Sequence, residues 1–368
     1  MKSRKTTYPQ SGVNYKDFDP IKKMAQDAGN KTSKNLALHG FQEVAESRGE
    51  SAYVWKQGNI YMASVIEGLG TKNIVADEMR KITGKSYYDI IAHDTVATII
   101  NDLSTVGAAP LVLHAYWAVG EGSFLTDGKR MEDFIEGWKN ACNSAGVSWG
   151  GGETPTLKGI VVPGTIDLGG SAVGIIKEKK NLITDGKLKS GDRILLIKSN
   201  GINANGLSLA RAVGGQLKNG YATKLPSGQM YGEAILQKSN IYVRLIQDLQ
   251  QENINIHYIS NITGHGLRKI MRARQNYSYI IEKIYDPQEV FLFIQKEAHL
   301  SDYEMYQTYN MGMDYALFMP EKDIKNAQRI IKNNGFESLN AGYIEKGKKQ
   351  VVIKPRKLIY GGEMLDLR

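Results

Sequence analysis

The chain has a single cysteine, Cys142, among 368 residues. An internal disulfide is therefore impossible, and a cysteine-rich metal centre is excluded. Long apolar runs are missing too. None approaches the ~20 residues that a membrane-spanning helix needs. The opening MKSRKTTYPQ has no apolar core of the kind a secretory leader carries. A cytoplasmic protein with no membrane partner is expected. No segment fits GxxxxGK[ST], which argues against an ordinary P-loop NTPase, and no GxGxxG is followed by an acid about 20 residues on. Acidic residues are the minority, 38 against 47 Lys plus Arg, for a net charge of +9. The basic stretches KEKKNLITDGKLK and LRKIMRAR stand apart from one another, and no nucleic-acid recognition motif accompanies them. They read as solvated surface, with a few lysines or arginines left to hold substrate phosphates and no nucleic-acid partner.

Glycine, by contrast, is plentiful: 39 residues, where average usage of ~7% would give about 26. The length suggests two domains. Residues 1–35 are polar and poorly patterned and read as an arm across the surface. Residues 59–66 and 110–119 read as strands, 88–107 and 127–145 as helices, and 168–176 as a strand. Cys142 continues the apolar stripe Met131–Phe134–Trp138 and reads as a small core residue. The charged, turn-rich stretch 177–192 marks a boundary, with units at 36–178 and 179–368. Beyond it RILLIK, INIHYI, SYIIEKI and MDYALFM read as strands, LSLARAV as the start of a helix, and 228–250 and 321–334 as helices. Strands alternating with helices in both halves predict two α/β domains.

Five loops that combine glycine or polar residues follow these elements: EGLGTK, IINDLSTVG, GGGET, SNGINANG and ITGHG. Ligands dock at such strand ends in α/β folds. Several carry oxygen ligands. Glu67 ends a strand and Glu153 ends the glycine run SWGGGE. Asp94 and Asn101 are seven residues apart on a helix and share a face within about 20°, with Asp102 turned off that face. Oxygen donors of this kind suit Mg²⁺, which binds through few carboxylates plus substrate phosphates. Taken singly, each acid also reads as a cap or a surface charge.

These segments together resemble the AIR synthase family of the AIR synthase-related ATP-binding superfamily. ASVIEGLGTK is similar to the family's strand and GTDGVGTK loop, and AHDTVATIINDLSTVGAAPL to its long helix with Asn-Asp-Leu and Gly-Ala-x-Pro. GGGET resembles GGET, SNGINANGLSLAR resembles SSGxHSNGxSLxR, ITGHG resembles TGGG, and EMYQTYNMGM resembles EMYRTFNMGVG. The resemblance implies a homodimer whose N-terminal sheets form a shared barrel, with ATP near that junction. It implies a cyclo-ligase acting on a phosphoribosyl nucleotide in purine biosynthesis. ATP phosphorylates the formyl-amide oxygen of formylglycinamidine ribonucleotide, an amidine nitrogen attacks that carbon, and phosphate leaves. It places ATP contacts at Gly68, Gly70, Thr71, Lys72, Asp94, Asn101, Gly150, Gly151, Gly152, Thr154, Gly264 and Gly266. It places Mg²⁺ at Glu67, Asp102 and Glu153, and catalytic contacts at Lys72, Asn203 and Asn205. On this reading the backbone amides of the glycine triplet cradle phosphate oxygens, and Lys72 adds a point charge to them.

The chain departs from the family at informative positions. Glu67 stands for the aspartate of GTDGVGTK, and Asn203 for the histidine of HSNG, leaving an amide where an acid/base group stood. Thr156 and Lys158 replace the acid and the proline of ETAEMPG. His265 sits at the third position of TGGG and reads as a surface loop residue. These departures bear on the acceptor. Two alternatives follow: another phosphoryl-transfer enzyme of the superfamily, whose members include thiamine-phosphate kinase, selenophosphate synthetase and the hydrogenase-maturation dehydratase, or a dimeric nucleotide-binding subunit without turnover.

Overall fold

The computed structural model describes residue 12 and residues 15–365, with the backbone alone for residues 15–19. The first part of the expected arm lies outside those residues. From Tyr15 the arm is helical, α1 (Tyr15–Asn30), followed by a 3₁₀ turn Ser33–His39.

The N-terminal unit contains β1 (Gln42–Glu43), β2 (Tyr53–Gln57), β3 (Ile60–Gly68), α2 (Lys72–Thr83), α3 (Tyr88–Ser104), β4 (Ala109–Val119), α4 (Gly128–Ala145), β5 (Ser148–Glu153) and β6 (Ile166–Ile176). Its strands form one sheet in the order β1-β2-β3-β6-β4-β5. All pairs are antiparallel except β4 with β5. Alternation sorts the side chains between two faces. Tyr61, Ala63, Val65, Leu113, Ala115, Trp117, Leu168 and Ala172 point to the face covered by helices and are buried. Ile60, Ile66, Leu111 and Tyr116 point to the other face, where Ile66 is 79% exposed. α4 is capped by Asp127, whose carboxylate accepts from Arg130 N, and ends at Gly146 in the left-handed region.

The C-terminal unit contains β7 (Arg193–Lys198), α5 (Leu207–Gln216), α6 (Tyr231–Ile235), α7 (Val243–Gln251), β8 (Tyr258–Asn261), β9 (Tyr277–Ile281), α8 (Glu289–Glu297), α9 (Asp302–Thr308), β10 (Met313–Met319), α10 (Ile324–Asn333), β11 (Ser338–Lys346), β12 (Gln350–Ile353) and β13 (Leu358–Gly361). Its sheet runs β13-β12-β9-β11-β7-β10-β8, and only β12 with β9 is parallel. Both sheets are thus mixed, with helices packed against them. Every side chain of β10 is buried, because apolar layers cover both of its faces.

α3 joins the two units. Nearly all its residues are buried, because it lies between the first sheet and the C-terminal unit. Its exit depends on Gly107 (φ 82°), where a Cβ would lie 1.9 Å from the Asn181 carbonyl oxygen.

Two expectations are corrected. The predicted helix 228–250 is two helices, α6 and α7, with an extended stretch between them. The backbone groups of that stretch bond to α3 side chains instead of to each other: Ser239 N to Asp94, Tyr242 N and the Asn240 carbonyl to Asn101. The glycine run is not a loop but the strand β5.

Candidate functional site

β3, α3 and the turn after β8 converge on one polar cavity of about 400 Å³. Glu67 enters from the end of β3 and Asp102 from the last turn of α3. Asp102 is oriented by Asn261 at the end of β8, whose Nδ2 donates to Oδ1 at 2.6 Å. Burial and the neighbouring Asp102 push the Glu67 carboxyl up to about 7, against the pull of Lys269 and Arg272. A cation entering the cavity would relieve the repulsion that raises Glu67.

The opposite wall is Thr263–Gly264–His265 and the 3₁₀ turn Gly266–Met271. His265 holds a left-handed backbone (φ 72°) and is 5% exposed. Burial, with Arg268 and Lys269 adding, pushes its imidazole down to about 2, so it is neutral. It is therefore a buried wall residue, not the surface loop residue expected. Gly266 follows with φ 56°, and a Cβ there would lie 2.4 Å from the Tyr306 carbonyl oxygen. Lys269 and Arg272 extend from this turn into the cavity, and α1 contributes Lys22. Arg272 also grips the loop before β2, donating to the Gly49 carbonyl at 2.7 Å and to Ser51 Oγ at 3.0 Å.

Of the residues singled out in the sequence, Glu67, Asp102, Asn205 and Gly264 meet in this cavity. Others are elsewhere. Lys72 is wholly buried and ion-paired with Asp94, equally buried, and it donates to the Gln237 carbonyl at 2.8 Å. Asp94 also accepts from Ser239 N at 2.8 Å, and Asn101 binds the Asn240 carbonyl and Tyr242 N at 2.8 and 2.9 Å. The shared face of Asp94 and Asn101 is real, but it faces the C-terminal unit. With Lys72, these side chains clasp the two units together and do not line the cavity. Gly68 ends β3, and Gly70 and Thr71 lie in the turn before α2, with Gly70 at φ 75°.

The glycine triplet has a local cause. A Cβ on Gly150 would meet Val112 Cγ2 at 2.5 Å, and one on Gly152 would meet the Ala115 carbonyl oxygen at 2.2 Å. Gly151 takes φ 105° where β5 slips register against β4. The close approach is made by the neighbouring strand. Glu153 pairs with Tyr116, which pairs with Gly169, which pairs with Gly68. Directly opposed residues share a face, so Glu153 lies on the open face, whereas Glu67 points to the covered one. Three strand spacings, roughly 14 Å, separate the rows in which they stand. The trio Glu67, Asp102 and Glu153 therefore does not assemble within one chain, and no cluster of three or more His, Cys, Asp or Glu suited to a metal occurs among the described residues. Glu153 and Thr154 are both exposed.

Asn203 has φ 57° and donates through Nδ2 to Asp314 Oδ2 at 2.8 Å. Asp314 also accepts from Tyr242 Oη at 2.5 Å, and burial pushes its carboxyl up to about 6. Sequence reasoning missed Lys269, Arg272 and Asn261. The first two lie in LRKIMRAR, read as solvated surface. The signal that they turn inward is their position directly after the glycine turn of ITGHG.

No helix among the described residues is long and apolar enough to cross a membrane. Residues 49–176 match the family model for the AIR synthase related protein N-terminal domain, and 189–354 match that for its C-terminal domain. A curated relative from Carboxydothermus hydrogenoformans is 32% identical over 302 residues, 79% of this chain and 83% of its own length. One from Clostridium novyi is 30% identical over 354 residues, 95% of this chain and 99% of its own. Both are named phosphoribosylformylglycinamidine cyclo-ligase. Among solved structures, the HypE–HypF complex is similar with a TM-score of 0.59 at 18% identity, covering 85% of this chain and 92% of the other. AaThiL complexed with AMPPCP and TMP is similar with a TM-score of 0.58 at 13% identity, covering 84% and 89%. At these identities the structures speak to fold alone.

Proposed function

The chain belongs to the AIR synthase related family through both of its domains, and from that premise we propose that it is the enzyme that closes the imidazole ring of aminoimidazole ribonucleotide. The observation that carries this reading is full-length similarity: a cyclo-ligase aligned over 95% of this chain and 99% of its own. The γ-phosphoryl group of ATP passes to the formyl-amide oxygen of formylglycinamidine ribonucleotide. An amidine nitrogen then attacks the activated carbon, the C–O bond breaks, and phosphate departs with the former amide oxygen. The nitrogen gives up its proton. The products are aminoimidazole ribonucleotide, ADP and phosphate. AMPPCP is named with one structural neighbour, which supports an ATP site in this fold.

The polar cavity supplies what such a transfer requires, which is position and charge balance more than covalent chemistry. Glu67 and Asp102 fit a divalent ion that arrives with nucleotide phosphates, since Mg²⁺ commonly takes one or two carboxylates and leaves its other positions to phosphate and water. When bound, that ion neutralises charge on the transferring phosphoryl group. Asn205 lines the same cavity, and Asn203 stands two residues away in the same loop. The open face of the first sheet is covered by a second copy of the chain, which would place Glu153, Thr154 and the glycine strand at the junction between copies instead of in the cavity.

The test is turnover with formylglycinamidine ribonucleotide, ATP and Mg²⁺, following aminoimidazole ribonucleotide and ADP together. Equal amounts of both are expected. ADP release that needs a different acceptor would move the protein to another phosphoryl-transfer activity of the superfamily, and nucleotide binding without turnover would make it a binding subunit. Omitting the metal should abolish turnover and sharply weaken nucleotide binding in calorimetry with EDTA; equal affinity in both buffers would remove the metal.

A further inference from the structure

Lys269 is 7% exposed and lines the cavity with Glu67 and Asp102. Its ammonium donates to Thr263 Oγ1. Among the described residues it forms no ion pair within 4.0 Å, although both carboxylates lie on the same cavity. An ammonium has three donors, and a single hydroxyl satisfies one of them. The other two have no protein acceptor among the described residues, so the arrangement suits an acceptor-rich anion entering the cavity. Burial lowers the pKa of this amine, while Asp102 and Glu67 work to keep its proton. The other lysine the sequence suggested for this role, Lys72, has its ammonium spent on Asp94 and the Gln237 carbonyl.

We propose that Lys269 is the phosphate anchor of this site: its ammonium receives a nucleotide polyphosphate oxygen from one side of the cavity while Glu67 and Asp102 hold the accompanying divalent ion from the other. The carboxylates and the ammonium line one cavity with no ion pair between them, so a metal–phosphate unit can take both charges at once. Arg272 is a weaker candidate, since its guanidinium already binds Gly49 and Ser51. The inference rests on the nucleotide reading above but not on the identity of the acceptor.

Calorimetry with Mg²⁺ and the non-hydrolysable β,γ-methylene analogue of ATP tests it on the full chain. Lys269→Met should weaken binding at least tenfold, the loss expected for one charge-assisted hydrogen bond. Lys269→Arg, which keeps the charge, should recover most of it. Lys269→Gln serves if the methionine variant does not fold. Wild-type-like affinity in a folded Met or Gln variant would overturn the proposal, as would a wild-type protein that binds no nucleotide. The acceptor reading fails separately: wild-type protein that makes no aminoimidazole ribonucleotide, yet loses nucleotide affinity on Lys269→Met, leaves the anchor standing.

Discussion

At the scale of single residues, Asp314 makes stability depend on pH. It is 2% exposed, and its partners are neutral donors, Tyr242 and Asn203. Its folded-state pKa of about 6 lies above the ordinary 3.8. The native state therefore holds the proton longer than the unfolded chain does. Stability should fall as pH rises from about 4 to 6 and level off above that. The ceiling on this contribution is about 3 kcal/mol. Urea unfolding of Asp314→Asn at pH 4 and pH 7 should show a smaller fall than wild type; an identical fall would mean that Asp314 does not carry it. Glu153→Gln, at an exposed strand end, should leave stability within about 0.5 kcal/mol of wild type. Residue identity singled out Glu67 and Asp102, and these two line one cavity. It could not say which face of a strand an acid would take. Glu153 stands three strands from Glu67, and one extra residue in β5 sets the face it takes.

At the scale of elements, the clasp between α3 and the stretch joining α6 to α7 decides two outcomes at once. Side chains of Asp94 and Asn101 take up backbone groups that would otherwise continue a helix, so a stretch with helical composition stays extended. No periodicity within 228–250 reports this, because the competing partner is more than a hundred residues away. The strands read from composition, such as Arg193–Lys198 and Met313–Met319, were legible because a buried apolar run needs no distant partner to be recognised. The same clasp makes Lys72 structural. Lys72→Met would leave the buried Asp94 without its ion-pair partner, a loss of roughly 3–5 kcal/mol. A drop of less than 1 kcal/mol by urea unfolding would contradict the clasp.

At the scale of the whole molecule, the first sheet is finished on one face only. Helices cover the side that bears Val65 and Trp117, while Ile60, Ile66, Leu111 and Tyr116 face outward. An apolar row exposed on a sheet face is where pairing with a second copy is predicted. Light scattering at micromolar concentration should give about twice the chain mass of 40.8 kDa, and Ile66→Glu should return it to the monomer value. A monomeric wild-type protein would leave the open face unexplained and Glu153 without a partner site. If the two copies do pair, the conflict between the sequence motif and its placement on the open face resolves across the junction. The proposed ring closure turns on the route of one oxygen atom. Substrate labelled with heavy oxygen in its formyl-amide group, turned over with unlabelled ATP, should deliver the label to inorganic phosphate, one atom per aminoimidazole ribonucleotide formed; unlabelled phosphate alongside that product would contradict phosphorylation of the amide oxygen and with it the account.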